Sequence, residues 1–265
     1  MKPAPFDYSA PKALEEALGL LGDEARPLAG GQSLVPLLNF RLARPEHLID
    51  LNGVAELAYL RSNGEALHIG AMTRQYALER SEVVSARWPL LHQAIRLVGH
   101  PQIRSRGTVG GSVAHSDPTA ELPVAFTVLD ARFHVRSPRA SRTLRSDELF
   151  LGPLTTALAS NELLVDIEVP PLPAGARTAF VEHARTHGDF AVAGAAVLVA
   201  PGLHAAVGLL GAGPTPVRAQ EAERALRGGA GATEVAALAA AVVDADHRRA
   251  LVADLVRRAV EEATS

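Results

Sequence analysis

The 265-residue chain predicts an α+β fold, on three observations. Strand-like alternation recurs in short runs such as LLVDIEV (163–169). An Asn-Gly pair sits between two apolar runs in AYLRSNGEALHIGA (58–71), the strongest short hairpin signal. After the Pro-rich stretch PPLPAGA (170–176), three strand-like runs precede three helical segments, the order of an antiparallel sheet with helices on one face. That stretch marks a boundary between a larger N-terminal region and a smaller C-terminal domain.

In chain order, Ser9 is expected to cap a helix reaching Leu21, with Pro11 in its first turn and Leu14, Ala17, Leu18 and Leu21 on one face. Arg26–Ala29 reads as a short buried strand. Ser33 can cap a helix containing Leu34, Leu37 and Leu38, and HLIDL (47–51) is a second strand. After the hairpin, Thr73 is expected to cap a helix through Val84, and another runs from Pro89 to Val98. HPQIRSRGTVGGSVAHSDP (100–118) shows no helical period. Asp117-Pro118 suits a helix start, cap then first-turn proline, for an apolar helix ending near Asp130. RFHVR (132–136) reads as a strand. Past the boundary, strands are expected near 178–185, 191–199 and 203–211, and helices near 216–227, 233–243 and 247–262.

A formal charge of −3 gives no electrostatic case for nucleic acid or an anionic membrane surface. No window approaches the roughly 18 uninterrupted apolar residues of a membrane span. The opening MKPAPFDYSAP lacks the apolar core of a signal peptide, so a cytoplasmic location is expected. With no cysteine, the chain holds no disulfide, Cys-ligated zinc or iron–sulfur cluster of its own.

Two glycine pairs, GGQS (30–33) and TVGGS (108–112), follow apolar or extended stretches and carry flanking hydroxyls. Either pair alone reads first as a turn. The alternative is a diphosphate site, where glycine lets bare amides approach the anion, Ser33 or Thr108 adds a donor, and a helix start points its positive end inward. A P-loop, a Gly-x-Ser-x-Gly elbow and a Cys nucleophile are absent. GLLGAG (208–213) and GGAGAT (228–233) lack the strand–turn–helix setting of a dinucleotide fingerprint. His183 and His187 have the i,i+4 spacing of a metal pair, but their region alternates like a strand, which separates the rings. Asp117 and Glu121 lie one helical turn apart. Capping accounts for Asp117 and leaves Glu121, followed by apolar residues, without a role.

VGHPQIRSRGTVGGSVAHSDPTAEL (98–122) resembles the FAD-binding medium subunit of the molybdenum hydroxylases, the xanthine dehydrogenase and aerobic carbon monoxide dehydrogenase family. The resemblance continues in AGGQSL (29–34), IGAMT (69–73), LFLGPLTTALASNELL (149–164), HGDFAVAG (187–194) and GAGPTPVRA (211–219), and so covers nearly the whole chain. It implies a two-lobed FAD-binding domain of the vanillyl-alcohol-oxidase type over 1–172, with lobes of about 1–53 and 54–172, and a C-terminal domain over 177–265. It also implies FAD contacts. Leu28, Ala29, Gly30, Gly31, Gln32, Ser33 and Leu34 would form one pyrophosphate loop. Thr108, Val109, Gly110, Gly111 and Ser112 would form the other, with Val98 at the head of the motif. Glu121 would hold the nucleotide part of FAD, Asp117 the ribityl or ribose, and Leu164 the adenine or the flavin wall. Where the xanthine dehydrogenase branch carries a lysine near the flavin, the strand here reads AFVEHAR (179–185), with Glu182 as nearest equivalent.

The family resemblance further implies no acid–base catalytic residue and no metal in this chain. Its partners would be an iron–sulfur small subunit and a molybdenum-binding large subunit, forming a heterotrimer whose dimerisation is left open. On the residues alone, a stand-alone FAD oxidase and a nucleotide-binding module without redox chemistry stay open beside the electron-transfer subunit.

Overall fold

A computed structural model describes residues 2–62, 64–202 and 204–265. The chain opens with β1 (Asp7–Ser9), α1 (Leu14–Gly19), β2 (Ala25–Leu28), α2 (Leu34–Asn39) and β3 (His47–Asp50). The three strands form a parallel sheet in the order β1-β3-β2, with α1 and α2 in the crossovers that parallel pairing requires. Leu14, Ala17 and Leu18 of α1 bury against Ile49, Leu51, Val54 and Leu57.

A second sheet begins with the hairpin of β4 (Leu60–Ser62) and β5 (Leu67–Gly70). Its strands pair on either side of the predicted Asn-Gly position, of which Asn63 lies outside the described residues. Six helices follow: α3 (Gln75–Glu79), α4 (Glu82–Arg87), α5 (Pro89–Ile95), α6 (Pro101–Arg106), α7 (Val109–His115) and α8 (Glu121–Val128). Then come β6 (Arg132–Arg136), β7 (Ser141–Leu144), α9 (Ser146–Leu149), the small pair β8 (Phe150–Gly152) and β9 (Thr155–Thr156), and β10 (Leu163–Val169). The antiparallel order is β4-β5-β10-β6-β7. Trp88, fully buried, ties the helical layer to the end of β10 through a hydrogen bond from Nε1 to the Pro170 carbonyl, 2.8 Å.

The C-terminal part contains β11 (Arg177–Ala184), β12 (Ala191–Ala200), β13 (His204–Leu210), β14 (Val217–Arg218), α10 (Gln220–Arg227), α11 (Ala232–Ala241) and α12 (Asp246–Thr264). The strands pair antiparallel in sequence order. Their period-2 alternation buries both faces. Ala179, Val181, Ala195, Val197, Val207 and Leu209 face α10–α12. Phe180, Ala196, Leu198, Ala206 and Leu210 join the core of the second sheet and its helices. The expected single helical face is therefore half the arrangement: the other face is covered by α5 and α8.

Four sequence expectations are corrected. Ser9 is in β1, paired with Ile49, and its hydroxyl meets His47 Nε2 at 2.8 Å, so α1 starts later without a side-chain cap. The helix expected from Thr73 to Val84 is two helices. Thr73 Oγ1 donates to the Tyr59 carbonyl, and Ser81 caps α4 by accepting from the Val84 amide. Segment 100–118 holds α6 and α7 rather than loop. Asp117 caps no helix: Oδ1 accepts from the Thr119 amide and hydroxyl at 2.8 and 2.7 Å, a local Asx turn, and α8 starts at Glu121.

Candidate functional site

The fold sets the two glycine segments against each other. β2 ends at Leu28, Ala29–Ser33 turn the chain, and Leu34 opens α2. Gly31 has φ +74°, the left-handed region that favours glycine. Gly30 is glycine for a different reason: a Cβ there would collide with the Arg106 carbonyl and lie 2.7 Å from Gly107 Cα. A Cβ on Gly111 would lie 2.6 Å from Thr108 Oγ1 and 3.4 Å from the Ala29 side chain. Residues 29–30 thus rest on the backbone of 106–111.

The two segments differ in what they offer. Among the described residues, the backbone amides of Gly30, Gly31, Gln32, Ser33 and Leu34 donate to no acceptor within the chain. Ser33 sits at the helix start without capping it, so its hydroxyl is also uncommitted. Five consecutive amides without an acceptor, in a glycine-bearing turn, are donors of the kind that suit an anion. The α7 amides are already used. Val109 donates to the Thr73 carbonyl and Gly110 to the Ala71 carbonyl, both at 2.9 Å. Gly111 donates to Thr108 Oγ1 and Ser112 to the Thr108 carbonyl, both at 3.1 Å. The two glycine segments therefore differ, one an open loop and the other the first turn of a capped helix.

Three acids gather at the α7–α8 turn and the third sheet. Glu121 is 8% exposed, and its carboxyl, in no ion pair among the described residues, is held only by its own backbone amide. Burial, then the nearby charge of Glu182, with a smaller contribution from Asp117, pushes it up to about 8. Glu182, on β11 opposite Gly194, is raised by burial to about 7, and its Oε2 is buried without a partner. His115, at the end of α7, is lowered by burial against the opposing pull of Asp117. The Pro118 carbonyl accepts from the Gly211 amide at 2.9 Å, pinning this turn to the end of β13.

Two candidates lie elsewhere in the packing. Leu164 is buried in the core of the second sheet, paired with Val135. The Val98 carbonyl accepts from Arg104 at 2.9 Å. His183 is exposed on β11, while the His187 ring meets His100 edge-on at 5.9 Å. Sequence reasoning missed Asn52 and Arg74. Asn52 Nδ2 donates to the Ala29 carbonyl at 3.0 Å, and Arg74 Nη2 donates to Asn52 Oδ1 at 2.7 Å. Arg74 directly follows IGAMT, so its proximity to that motif was the available signal.

Residues 4–172, more than half the chain, match the family of the FAD binding domain in molybdopterin dehydrogenase. The chain belongs to this family. Among curated relatives of this FAD-binding family, the carbon monoxide dehydrogenase medium chain of Hydrogenophaga pseudoflava is 39% identical, covering 99% of this chain and 98% of its own. The 6-hydroxypseudooxynicotine dehydrogenase complex subunit alpha of Paenarthrobacter nicotinovorans is 44% identical, covering 85% and 79%. The solved structure of Hydrogenophaga pseudoflava carbon monoxide dehydrogenase lacking the Mo-pyranopterin moiety superposes with a TM-score of 0.93 at 40% identity, over 100% of this chain and 99% of that one. No helix among the described residues is long and apolar enough to cross a membrane.

Proposed function

We propose that this chain is the FAD-binding medium subunit of a molybdenum hydroxylase-type oxidoreductase. It takes electrons from iron–sulfur clusters in a small partner subunit, fed by a molybdenum-binding large subunit, and delivers them to a final acceptor. The family membership supports FAD as cofactor, and relatives named as medium chain or complex subunit support the multi-subunit setting. FAD, when bound, supplies the ability to accept electrons singly and release them in pairs; binding and orientation are this chain's share.

The observation that carries the reading is the run of open amides from Gly30 to Leu34. A diphosphate satisfies donors that otherwise have no partner, and the Ser33 hydroxyl adds another. Thr108, Val109, Gly110, Gly111 and Ser112 form the helix start that meets the loop at Ala29, with Leu28 leading into the loop, and Gln32 fixes the turn by donating from Nε2 to the Gly30 carbonyl at 3.0 Å. Glu121 and Asp117 supply acceptors for cofactor hydroxyls. In this reading Leu164 and Val98 contact FAD away from the glycine loop, and Glu182 stands beside Glu121. The reading also places the complex in the cytoplasm, which cell fractionation tests.

Titrating cofactor-free protein with FAD is the direct experiment. The expected result is one FAD per chain, displaced competitively by inorganic pyrophosphate. Failure to take up FAD overturns the reading. Robust turnover of a small substrate by the isolated chain would instead make it a stand-alone FAD enzyme.

A further inference from the structure

Arg74 lies where the two glycine segments are joined. Residues 73–75 run antiparallel to 107–109: the Val109 amide donates to the Thr73 carbonyl and the Gln75 amide to the Gly107 carbonyl, each at 2.9 Å, with Arg74 bridged to Thr108. The Arg74 guanidinium reaches to both sides. Nη2 donates to Asn52 Oδ1, and Asn52 in turn holds the Ala29 carbonyl. Nη1 donates to the Arg106 carbonyl, the atom that a Cβ on Gly30 would strike. One side chain therefore links the base of the open loop to the segment on which the loop rests.

The charge balance here is unusual. Every acceptor of Arg74 is neutral, and neither Arg74 nor Arg106 forms an ion pair among the described residues. The guanidinium of Arg74 is less basic than an ordinary arginine, first through burial and then through the charge of Arg106, with Asp50 opposing. Asp50 offsets part of this charge but pairs with neither arginine: its carboxylate accepts from Tyr8 Oη at 2.6 Å, the Asn52 amide at 2.9 Å and Asn52 Nδ2 at 2.5 Å. Two like charges set close together without a carboxylate between them repel, and a bound anion removes that cost. The five open amides beside them ask for the same ligand.

We propose that Arg74 and Arg106 form the cationic seat of the diphosphate site. Arg74 is a positioning residue that fixes the spacing between the glycine loop and α7, and the pair together supplies the positive charge that an anion on the loop requires. This inference rests on the FAD-binding reading and adds to it two residues outside the glycine motifs.

The test is binding of FAD, ADP and inorganic pyrophosphate to the cofactor-free full chain at low and high salt, for the wild type, Arg74→Ala, Arg74→Lys and Arg106→Ala. Arg74→Ala should weaken all three ligands by about tenfold or more, the scale of one charge-assisted contact. Arg74→Lys keeps the charge and loses the two-sided fork, so it should bind with intermediate affinity. Arg106→Ala should bind several-fold more weakly and show a shallower dependence of affinity on salt, since one fixed charge is gone. Its carbonyl, which alanine keeps, makes the hydrogen bond to Arg74, and the repulsion is relieved, so it should melt no lower than the wild type even if Arg74→Ala proves hard to fold. A purely structural role for these residues would leave the salt dependence unchanged. Arg74→Lys and Arg106→Ala variants that match the wild type in affinity and salt dependence would overturn this inference alone. A wild type that binds none of the three ligands would overturn the functional reading and this inference together.

Discussion

Buried Glu121 and half-buried Glu182 are two acids near each other with no cation between them among the described residues, so each is easier to keep neutral than charged. Both carboxyls are held above the ordinary value of 4.5, at about 8 and about 7. The folded protein therefore binds more protons than the unfolded chain in the window between 4.5 and about 8, and stability falls as pH rises through it. The cofactor-free protein should melt highest near the acidic end of that window and progressively lower toward its upper end. Glu121→Gln removes one of the two titrations, so its melting temperature should depend less steeply on pH; an unchanged slope would refute the account. The glycines of the loop give a second residue-scale prediction. Gly31→Ala meets left-handed strain, about 1–2 kcal/mol, and a close contact at 3.1 Å with Val35 Cγ2, a side chain that can shift. Gly30→Ala drives a methyl into the Arg106 carbonyl, which is backbone and cannot rotate away. Gly30→Ala should lose more thermal stability and more FAD than Gly31→Ala, measured by melting and by flavin content of the purified proteins.

At the scale of elements, the short helices around the site are held by specific partners more than by their own propensity. α6 has only six residues, and its Arg104, 6% exposed, forks onto Glu79 of α3 at 2.9 and 3.0 Å while donating to the Val98 and Gly99 carbonyls. Removing one member of a buried pair leaves the other charged and unpaired, so Arg104→Ala should cost about 3–5 kcal/mol in chemical denaturation. Arg104→Met with Glu79→Met should recover much of that loss. This dependence on distant partners explains what the sequence made legible. The strands at 163–169, 191–200 and 204–210 were readable because each is a short, largely apolar run buried on both faces, a signal contained in the segment itself. α7 was not, because its first turn contains Gly110 and Gly111, poor helix formers, and is held by Thr73, Ala71 and the Thr108 cap. Asp117 misled for a related reason: its side chain satisfied the local amides of an Asx turn before any helix began. The glycine pairs and Glu121 were visible as residue types, whereas the Asn52–Arg74 bridge joins positions 22 apart and leaves no local mark.

Across the whole molecule, the third sheet is the floor of the central core as well as the roof of the C-terminal helices. Phe180, Ala196, Leu198, Ala206 and Leu210 share one cluster with Trp88, Leu91, Phe126 and Phe133. Gly208 is glycine where β13 meets α8, since a Cβ there would lie 2.5 Å from Val128 Cγ2. Arg218 crosses the same contact, donating to the Thr127 carbonyl at 3.0 Å and Asp130 at 2.8 Å while forked onto buried Glu223. A fragment ending at residue 172 retains the whole matched FAD-binding family segment, yet it strips the apolar cover from α5 and α8. Such exposure of a contiguous apolar face favours aggregation and loose packing. The 1–172 fragment should therefore bind the hydrophobic dye ANS and aggregate, and the full chain should unfold in one cooperative transition reported alike by Trp88 fluorescence and by far-UV circular dichroism. Gly208→Val supplies the milder version of the same test. It forces the third sheet away from α8, so it should lower the melting temperature and weaken FAD binding together, because the Pro118–Gly211 hydrogen bond ties the acid-bearing turn to that sheet. A 1–172 fragment that is monomeric, does not bind the dye and holds FAD as tightly as the full chain would show that the shared core is dispensable.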